Sequence, residues 1–221
     1  MTRAELLNRL CGLFDQPRYL EIGVHNGETF MAIAAARKVG VDPKFLFDID
    51  AAMRAQPHAS LHAMPSDAFF GGPHVVADGY DVIFLDGLHT AEQTLRDLLN
   101  ATDLLRPGGV IVLDDMLPSS YHAALPDGLH SIRLREHLRD PDTSWMGDVY
   151  KLAFFIDSFM QQFSVATVGM QLLLWRAPRA PADIGQRSLE QVARMAFEET
   201  VFQRAVFNPC SLDQAIALMQ R

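Results

Sequence analysis

The sequence has little cysteine and few basic residues. Cys11 and Cys210 stand far apart among 221 residues. We therefore expect no disulfide framework and predict that both are free thiols in a reducing compartment. The 19 Lys and Arg residues are outnumbered by 27 Asp and Glu, for a formal net charge of −8. No dense Lys/Arg run occurs, which argues against a site for a nucleic-acid backbone.

Long apolar runs are also missing. No apolar stretch approaches the roughly 20 residues of a membrane-spanning helix, and the N-terminus lacks the pattern of a secretory signal. We therefore expect a cytoplasmic protein that contacts neither membranes nor nucleic acid. Hydrophobic residues nevertheless make up 49% of the sequence, enough for one α/β domain with a small appendage.

The first informative stretch predicts a strand, a tight turn and a helix. Residues 19–24 are mostly apolar, residues 25–27 are turn formers, and residues 28–39 are rich in alanine. Gly23 lets backbone approach a ligand closely, and Gly27 tolerates a positive φ at the helix start. The spacing E-x-G-x-x-x-G differs from the dinucleotide-binding G-x-G-x-x-G. It predicts a ligand site, with an ordinary α/β turn as the alternative.

Strands and helices alternate along most of the chain. This alternation predicts a mostly parallel, doubly wound sheet whose ligands lie at the carboxyl ends of the strands. A hairpin through Gly169 closes the pattern, and residues 106–109 break the helix that begins near Thr90. The predicted strands cover residues 19–24, 39–43, 61–64, 81–87, 110–113, 163–168 and 170–175.

An acidic residue ends the predicted second strand. Asp42 follows Gly23 by 19 positions, where a carboxylate would accept hydrogen bonds from both hydroxyls of a bound ribose. Residues 45–50 also resemble a strand that ends in acids, so Asp48 and Asp50 remain alternatives. The spacing favours Asp42.

Three more acids follow the fourth and fifth predicted strands: Asp86, Asp114 and Asp115. Neighbouring strands would bring them together, where each close pair repels by about 4 kcal/mol at about 4 Å and an effective dielectric constant of about 20. A hard divalent cation such as Mg²⁺ offsets this repulsion, so we expect these three residues as its ligands. Alternatively, one acid caps a helix, one is exposed and only one is functional.

These motifs resemble class I S-adenosylmethionine (SAM)-dependent methyltransferases. The run from Tyr19 to Asp115 is most similar to the bacterial methyltransferase-24 type. Asp86-Gly87-Leu88-His89, followed by Asp114-Asp115, is similar to the metal-dependent catechol-type and macrocin-type O-methyltransferases. The resemblance implies a Rossmann-like, seven-stranded α/β sheet with an antiparallel last strand, and SAM as the methyl donor.

The resemblance also implies roles for individual residues. Asp67, just after the third strand, would contact the adenine, although Ser66 or Asp67 could instead cap the next helix. Asp86, Asp114 and Asp115 would hold the metal. The expected SAM-binding residues are Glu21, Gly23, His25, Asn26, Gly27, Asp42, Ser66, Asp67 and Asp86.

His89 stands where the catechol type has a catalytic lysine, three positions after the first acid. A neutral imidazole accepts a hydroxyl proton near pH 7, so we expect His89, with Asp86, to be catalytic. A role for His89 as a metal or substrate ligand, or as a helix-start residue without function, stays open.

The rest of the chain carries fewer signals. Residues 116–146 contain several prolines and a charged helical segment, and predict a mobile insertion over the active site within a domain of residues 1–177. Residues 183–221 predict helices with capping boxes at Ser188–Gln191 and Ser211–Gln214. We expect these helices to pack on the domain or to form a homodimer contact through Val192, Met195, Phe202 and Val206.

The sequence therefore predicts a SAM-dependent O-methyltransferase that acts on a hydroxyl group of a small molecule with the help of Mg²⁺. Two alternatives remain. The same fold could carry another reaction, such as hydroxylation or hydrolysis, because a fold does not determine a function. The chain could also be a non-catalytic SAM-binding partner of another enzyme.

Overall fold

A computed structural model describes residues 1–75 and 78–220, and seven strands form its central sheet. The strands are β1 (Arg18–Ile22), β2 (Arg37–Asp42), β3 (Ala59–Ala63), β4 (Tyr80–Leu85), β5 (Leu105–Leu113), β6 (Phe163–Val168) and β7 (Gln171–Arg176). They lie in the order β3-β2-β1-β4-β5-β7-β6, and β7 is antiparallel to β6. The predicted doubly wound sheet with its final hairpin is confirmed.

Helices connect the strands and follow the last one. Two 3₁₀ helices, Pro181–Asp183 and Arg204–Phe207, lie in the C-terminal region. Across residues 1–75 and 78–220, no helix is both long and apolar enough to cross a membrane. The α-helices are α1 (Arg3–Cys11), α2 (Glu28–Ala32), α3 (Ile49–Ala55), α4 (Ser66–Phe70), α5 (Ala91–Leu104), α6 (Gly128–Leu138), α7 (Lys151–Phe159), α8 (Leu189–Ala193), α9 (Glu199–Phe202) and α10 (Leu212–Met219).

The chain divides into two compact units. Unit 1 comprises Met1–Gly87 and Arg96–Val112, and unit 2 comprises Leu88–Leu95 and Leu113–Arg221. In unit 1, β1 pairs in parallel with β2 and with β4, and β2 pairs in parallel with β3. All six side chains of β4 are buried, as expected of a strand covered on both faces. The carboxyl ends of these four strands therefore lie at one edge.

Helix α2, which follows β1, is much shorter than predicted. Helix α2 ends at Ala32 and β2 begins at Arg37, so the expectation of a helix through residue 39 is wrong. Lys38 explains the early end: its buried Nζ donates to the carbonyl oxygens of Phe30 (2.7 Å) and Ile33 (3.1 Å). Pairing of β2 with two neighbours outweighs the helix propensity of the alanines between them.

Two strand predictions need correction. Residues 45–50 form no strand, because Asp48 is the N-cap of α3 and accepts a hydrogen bond from the Ala51 N–H. Strand β5 begins at Leu105, not at residue 110. The Pro-Gly-Gly segment ends helix α5 as predicted, but it is part of the strand, with Gly108 at φ +77°.

In unit 2, the hairpin pairs Phe163 with Arg176 and Val168 with Gln171 around Gly169, as predicted. The capping boxes at Ser188 and Ser211 are also confirmed. The predicted apolar stripe does not form one buried face, because Val192 is buried whereas Phe202 is 79% exposed. A homodimer contact through these helices stays a prediction.

Candidate active site

The turn after β1, residues 23–27, is shaped by left-handed backbone. Gly23, His25 and Gly27 have φ values of +91°, +51° and +81°. A Cβ atom on Gly23 would lie 1.9 Å from the carbonyl oxygen of Asp86. We call residues 23–27 the glycine turn. Only glycine at position 23 lets this turn lie directly against the chain that leaves β4. Gly23 thus lies close to protein backbone within unit 1, and its close approach to a ligand stays a prediction.

Asp42 ends β2 and holds the glycine turn in place. Its buried carboxylate accepts hydrogen bonds from the backbone N–H of His25 (2.8 Å) and of Lys44 (2.7 Å). Asp48 and Asp50, the alternatives, are exposed and lie at the start of α3. Of the three acids, only Asp42 is thus fixed at a strand end; contact with a ribose stays a prediction.

Glu21 is buried inside the sheet. Its carboxylate accepts a hydrogen bond from the Tyr19 hydroxyl at 2.6 Å, and only 1% of the residue is exposed. Burial raises the pKa of Glu21 to about 8. Burial also lowers the pKa of Lys38, on the neighbouring strand, to about 8. Glu21 is therefore predominantly a neutral acid at pH 7, a state that its position in the sequence gave no reason to expect.

Ser66 and Asp67 begin α4 after β3, as predicted, but neither caps it. The N-cap is Pro65, without a side-chain hydrogen bond, so the capping alternative is wrong. Asp67 is half-exposed and lies 3.8 Å from the Arg96 guanidinium. Phe69, which follows it, is fully buried in the core.

Asp86 follows β4 and contacts the first helix. The Nη1 atom of Arg3 lies 3.3 Å from the Asp86 carboxylate. The capping box of Thr2 and Glu5 fixes the start of α1 and hence the position of Arg3. The sequence gave no signal for this ion pair.

In unit 2, His89 lies against an acid and an aromatic ring. Its Nδ1 is 2.6 Å from the Asp115 carboxylate, and Asp115 is buried with a left-handed φ of +60°. The imidazole stacks on the Trp145 ring, with centroids 5.2 Å apart and planes 14° apart. The Trp145 indole donates to the Leu125 carbonyl oxygen at 2.7 Å. We call His89, Asp115 and Trp145 the His89 group.

Backbone contacts hold the same segment. A Cβ atom on Gly147, which has φ +66°, would lie 1.6 Å from the His89 carbonyl oxygen. Asp148 accepts from the Ala91 N–H at 2.7 Å, at the start of α5, and pairs with Lys151 at 2.9 Å. The segment that follows the predicted insertion thus packs around His89, and Asp148 and Lys151 form an ion pair beside it.

Asp114 makes different contacts from those of Asp115. Its buried Oδ1 accepts from the Gln171 side chain (2.8 Å) and from the Asp115 N–H (2.9 Å). Within unit 2 the structure therefore brings together His89 with Asp115, and Asp114 with Gln171 of β7. Nothing in the sequence pointed to Gln171 or Trp145 as their partners.

The chain matches a known family over residues 20–116, the family model described as a methyltransferase domain (Methyltransf_24). This part of the chain is similar to a methyltransferase domain. It includes most of β1, all of β2 to β5 and every predicted cofactor, metal and catalytic residue. The sheet order is that of the class I fold, the architecture of SAM-dependent methyltransferases. No curated protein matches the sequence.

Solved structures share this fold at low sequence identity. Cofactor-bound Rv0187 from MTB is 18% identical with a TM-score of 0.56, covering 80% of both chains. The O-methyltransferase TomG from Streptomyces achromogenes, in complex with SAM, is 18% identical with a TM-score of 0.52 and 79% coverage of both. The O-methyltransferase from Bacillus cereus, in complex with SAH, is 16% identical with a TM-score of 0.51, covering 78% of this chain and 79% of that one. These similarities establish the methyltransferase fold.

Proposed function

We propose that the protein is a SAM-dependent O-methyltransferase that acts on a hydroxyl group of a small molecule. The pairing of His89 with Asp115 carries the proposal, because it supplies a positioned base for a hydroxyl proton. The methyltransferase domain supplies the other half of the argument. Two of the similar structures are O-methyltransferases in complex with SAM and with SAH, which supports the same cofactor here.

The residues proposed to bind SAM all belong to unit 1, at the edge where the parallel strands end. Gly23 and Gly27 leave backbone accessible, Asp42 fixes the turn, and burial makes Glu21 a neutral acid. SAM supplies an electrophilic methyl group on a sulfonium. The full proposed set is Glu21, Gly23, His25, Asn26, Gly27, Asp42, Ser66, Asp67 and Asp86.

The His89 group has the parts of a general base. If Nδ1 of His89 donates to the Asp115 carboxylate, Nε2 is left as the acceptor. The substrate hydroxyl then loses its proton to Nε2 while its oxygen forms a bond to the methyl carbon and the sulfur–carbon bond breaks. Stacking on Trp145 restricts rotation of the imidazole, so that base and hydroxyl meet in a defined orientation.

A divalent cation is the second part of the proposal. The three carboxylates expected from the sequence, Asp86, Asp114 and Asp115, suit Mg²⁺, which prefers oxygen ligands. Within unit 2, His89 and Asp115 together offer an imidazole and a carboxylate, and a ligand set with an imidazole suits ions such as Mn²⁺ or Zn²⁺ better. When bound, such an ion would lower the pKa of a coordinated substrate hydroxyl. We propose the carboxylate set, with His89 as the base, because Nδ1 already contacts Asp115.

The test is methyl transfer from methyl-labelled SAM to a panel of hydroxylated small molecules, with Mg²⁺, with Mn²⁺ and with a chelator. Label in an ether product, lost in His89→Gln and stimulated most by Mg²⁺, is the expected result. Stronger stimulation by Mn²⁺ would move His89 into the metal site. Oxidised or hydrolysed products without label would favour another reaction, and SAM binding without turnover on any compound would favour a non-catalytic partner.

A further inference from the structure

The first turn of helix α6 lies against the aromatic ring of the His89 group. Gly128 is the first residue of α6, and a Cβ atom on it would lie 3.2 Å from Cδ2 and Cε2 and 3.3 Å from Cε3 of Trp145. Three nearly equal distances to atoms of one six-membered ring place this position over the face of that ring. Gly128 belongs to unit 2, as does the whole His89 group.

The backbone of Gly128 does not explain why this residue is a glycine. Its φ is negative, unlike that of Gly147, so a residue with a side chain could adopt the same conformation. Alanine is also the better helix former of the two. The three atoms nearest to the missing Cβ all belong to Trp145. The steric requirement at position 128 therefore comes from the indole ring.

The indole of Trp145 has little room to yield. Its Nε1 donates to the Leu125 carbonyl oxygen at 2.7 Å, which holds one edge of the ring system. The His89 imidazole lies nearly parallel to the ring, with planes 14° and centroids 5.2 Å apart. A Cβ atom on Gly128 would force the ring to shift by a few tenths of an ångström. Such a shift disturbs the hydrogen bond or the stacking on His89.

The start of α6 is fixed more firmly than its end. The Asp127 carboxylate caps the helix by accepting a hydrogen bond from the His130 N–H at 3.0 Å. Ser131, one turn further along, is buried, whereas Leu138, the last residue of the helix, is 60% exposed. The anchored end of α6 is thus the end that contacts Trp145, and it can determine where the ring lies.

We propose that Gly128 is a positioning residue for His89. The first turn of α6, without a side chain at position 128, holds the Trp145 ring in place, and the ring in turn fixes the imidazole beside Asp115. The inference rests on the proposed role of His89 as the base. Because proton transfer depends on orientation, a side chain at position 128 lowers the rate by acting through Trp145. The insertion of residues 116–146 thereby controls the base.

The first test is a double-mutant cycle on the rate of methyl transfer. Gly128→Ala should lower kcat about fivefold, with KM and the affinity for S-adenosylhomocysteine unchanged. Phenylalanine is smaller than tryptophan and lacks the hydrogen bond to Leu125, so its ring can move away from an added methyl group. In Trp145→Phe protein, Gly128→Ala should therefore change kcat less than about twofold. Leu129→Ala, at the next and 66% exposed position, is the control and should keep the wild-type rate.

A second measurement needs no substrate. In a Trp175→Phe background, Trp145 is the remaining tryptophan, and its fluorescence reports the imidazole stacked on it. His89→Gln should change this emission, and Gly128→Ala should at least halve that change because the stacking is disturbed. Gly128→Ala without effect on the emission, or an equal fall of kcat in wild-type and Trp145→Phe proteins, would overturn the proposal. The expected emission change without any methyl transfer would support the positioning by Gly128 and refute the proposed reaction.

Discussion

The glycine turn of unit 1 and the His89 group of unit 2 are built by different means. The turn depends on backbone: positive φ at Gly23, His25 and Gly27, and one carboxylate, Asp42, that accepts a hydrogen bond from the His25 N–H. The His89 group depends on side chains that come from segments separated by up to about 60 residues in the chain. A site defined by backbone is visible in a sequence as glycines, whereas a site defined by packing is not.

The same difference separates their proposed tasks. Backbone that lies close to a strand end suits the binding of a cofactor whose shape is constant. A base held by a carboxylate and an indole suits proton transfer, in which orientation matters most. Substitutions in each region should therefore affect cofactor binding and proton transfer separately.

The largest effect is expected from Gly23→Ala. The new Cβ atom would lie 1.9 Å from the Asp86 carbonyl oxygen, so we expect a loss of about 3 kcal/mol or more of unfolding free energy. SAM affinity should fall at least 100-fold. Thermal unfolding and calorimetry measure both quantities. Gly12→Ala is the control, because its Cβ atom would meet nothing closer than 3.4 Å; a similar loss there would refute the steric explanation.

The next effect is expected from His89→Gln. Loss of a positioned general base lowers kcat by about 10²- to 10⁴-fold, and SAM affinity should stay within twofold of wild type because the proposed cofactor site belongs to unit 1. Steady-state kinetics with labelled SAM measure the change. His130→Gln, an exposed histidine of α6, should behave as wild type. A parallel loss of SAM binding in His89→Gln would show that the two tasks are not separate.

Several of these features were predictable from the sequence. The strand ends at Asp42 and Asp86, the glycine turn and the final hairpin follow from local pattern, since each lies within a few residues of its signal. Lys38 illustrates the opposite case, because its burial under α2 depends on tertiary contacts and shortened a helix that the alanines favoured. The contacts of Trp145 with His89, and of Gln171 with Asp114, join distant segments for which no motif exists.

A smaller effect should distinguish the parts of the His89 group. Trp145→Ala removes the ring that stacks on His89, and we expect kcat to fall roughly tenfold because the imidazole loses its fixed orientation. Trp145→Phe keeps an aromatic face and should restore most of the rate, with KM unchanged in both variants. If the two substitutions lower kcat equally, the indole contributes through its hydrogen bond to Leu125 and not through stacking.

The smallest effect per unit of change concerns pH and Glu21. Burial raises the pKa of Glu21 from 4.5 to about 8, so between these values the folded state keeps a proton that the unfolded state has lost. The unfolding free energy should therefore fall as pH rises through this window, by up to about 1.4 kcal/mol per pH unit.

Denaturant titrations from pH 5 to pH 8 measure this slope. Glu21→Gln cannot ionise and should flatten it, whereas Glu136→Gln, at an exposed site of α6, should leave it unchanged. An identical slope in wild type and Glu21→Gln would contradict the assignment of a neutral acid beside Tyr19.

The most direct test of the central claim is a calorimetric titration of S-adenosylhomocysteine, the demethylated product of SAM, into wild type and His89→Gln. Our account predicts micromolar binding of equal affinity to both proteins, because residues of unit 1 are proposed to hold the cofactor and His89 to move the proton. Absence of binding to wild type, or binding that depends on His89, would contradict it.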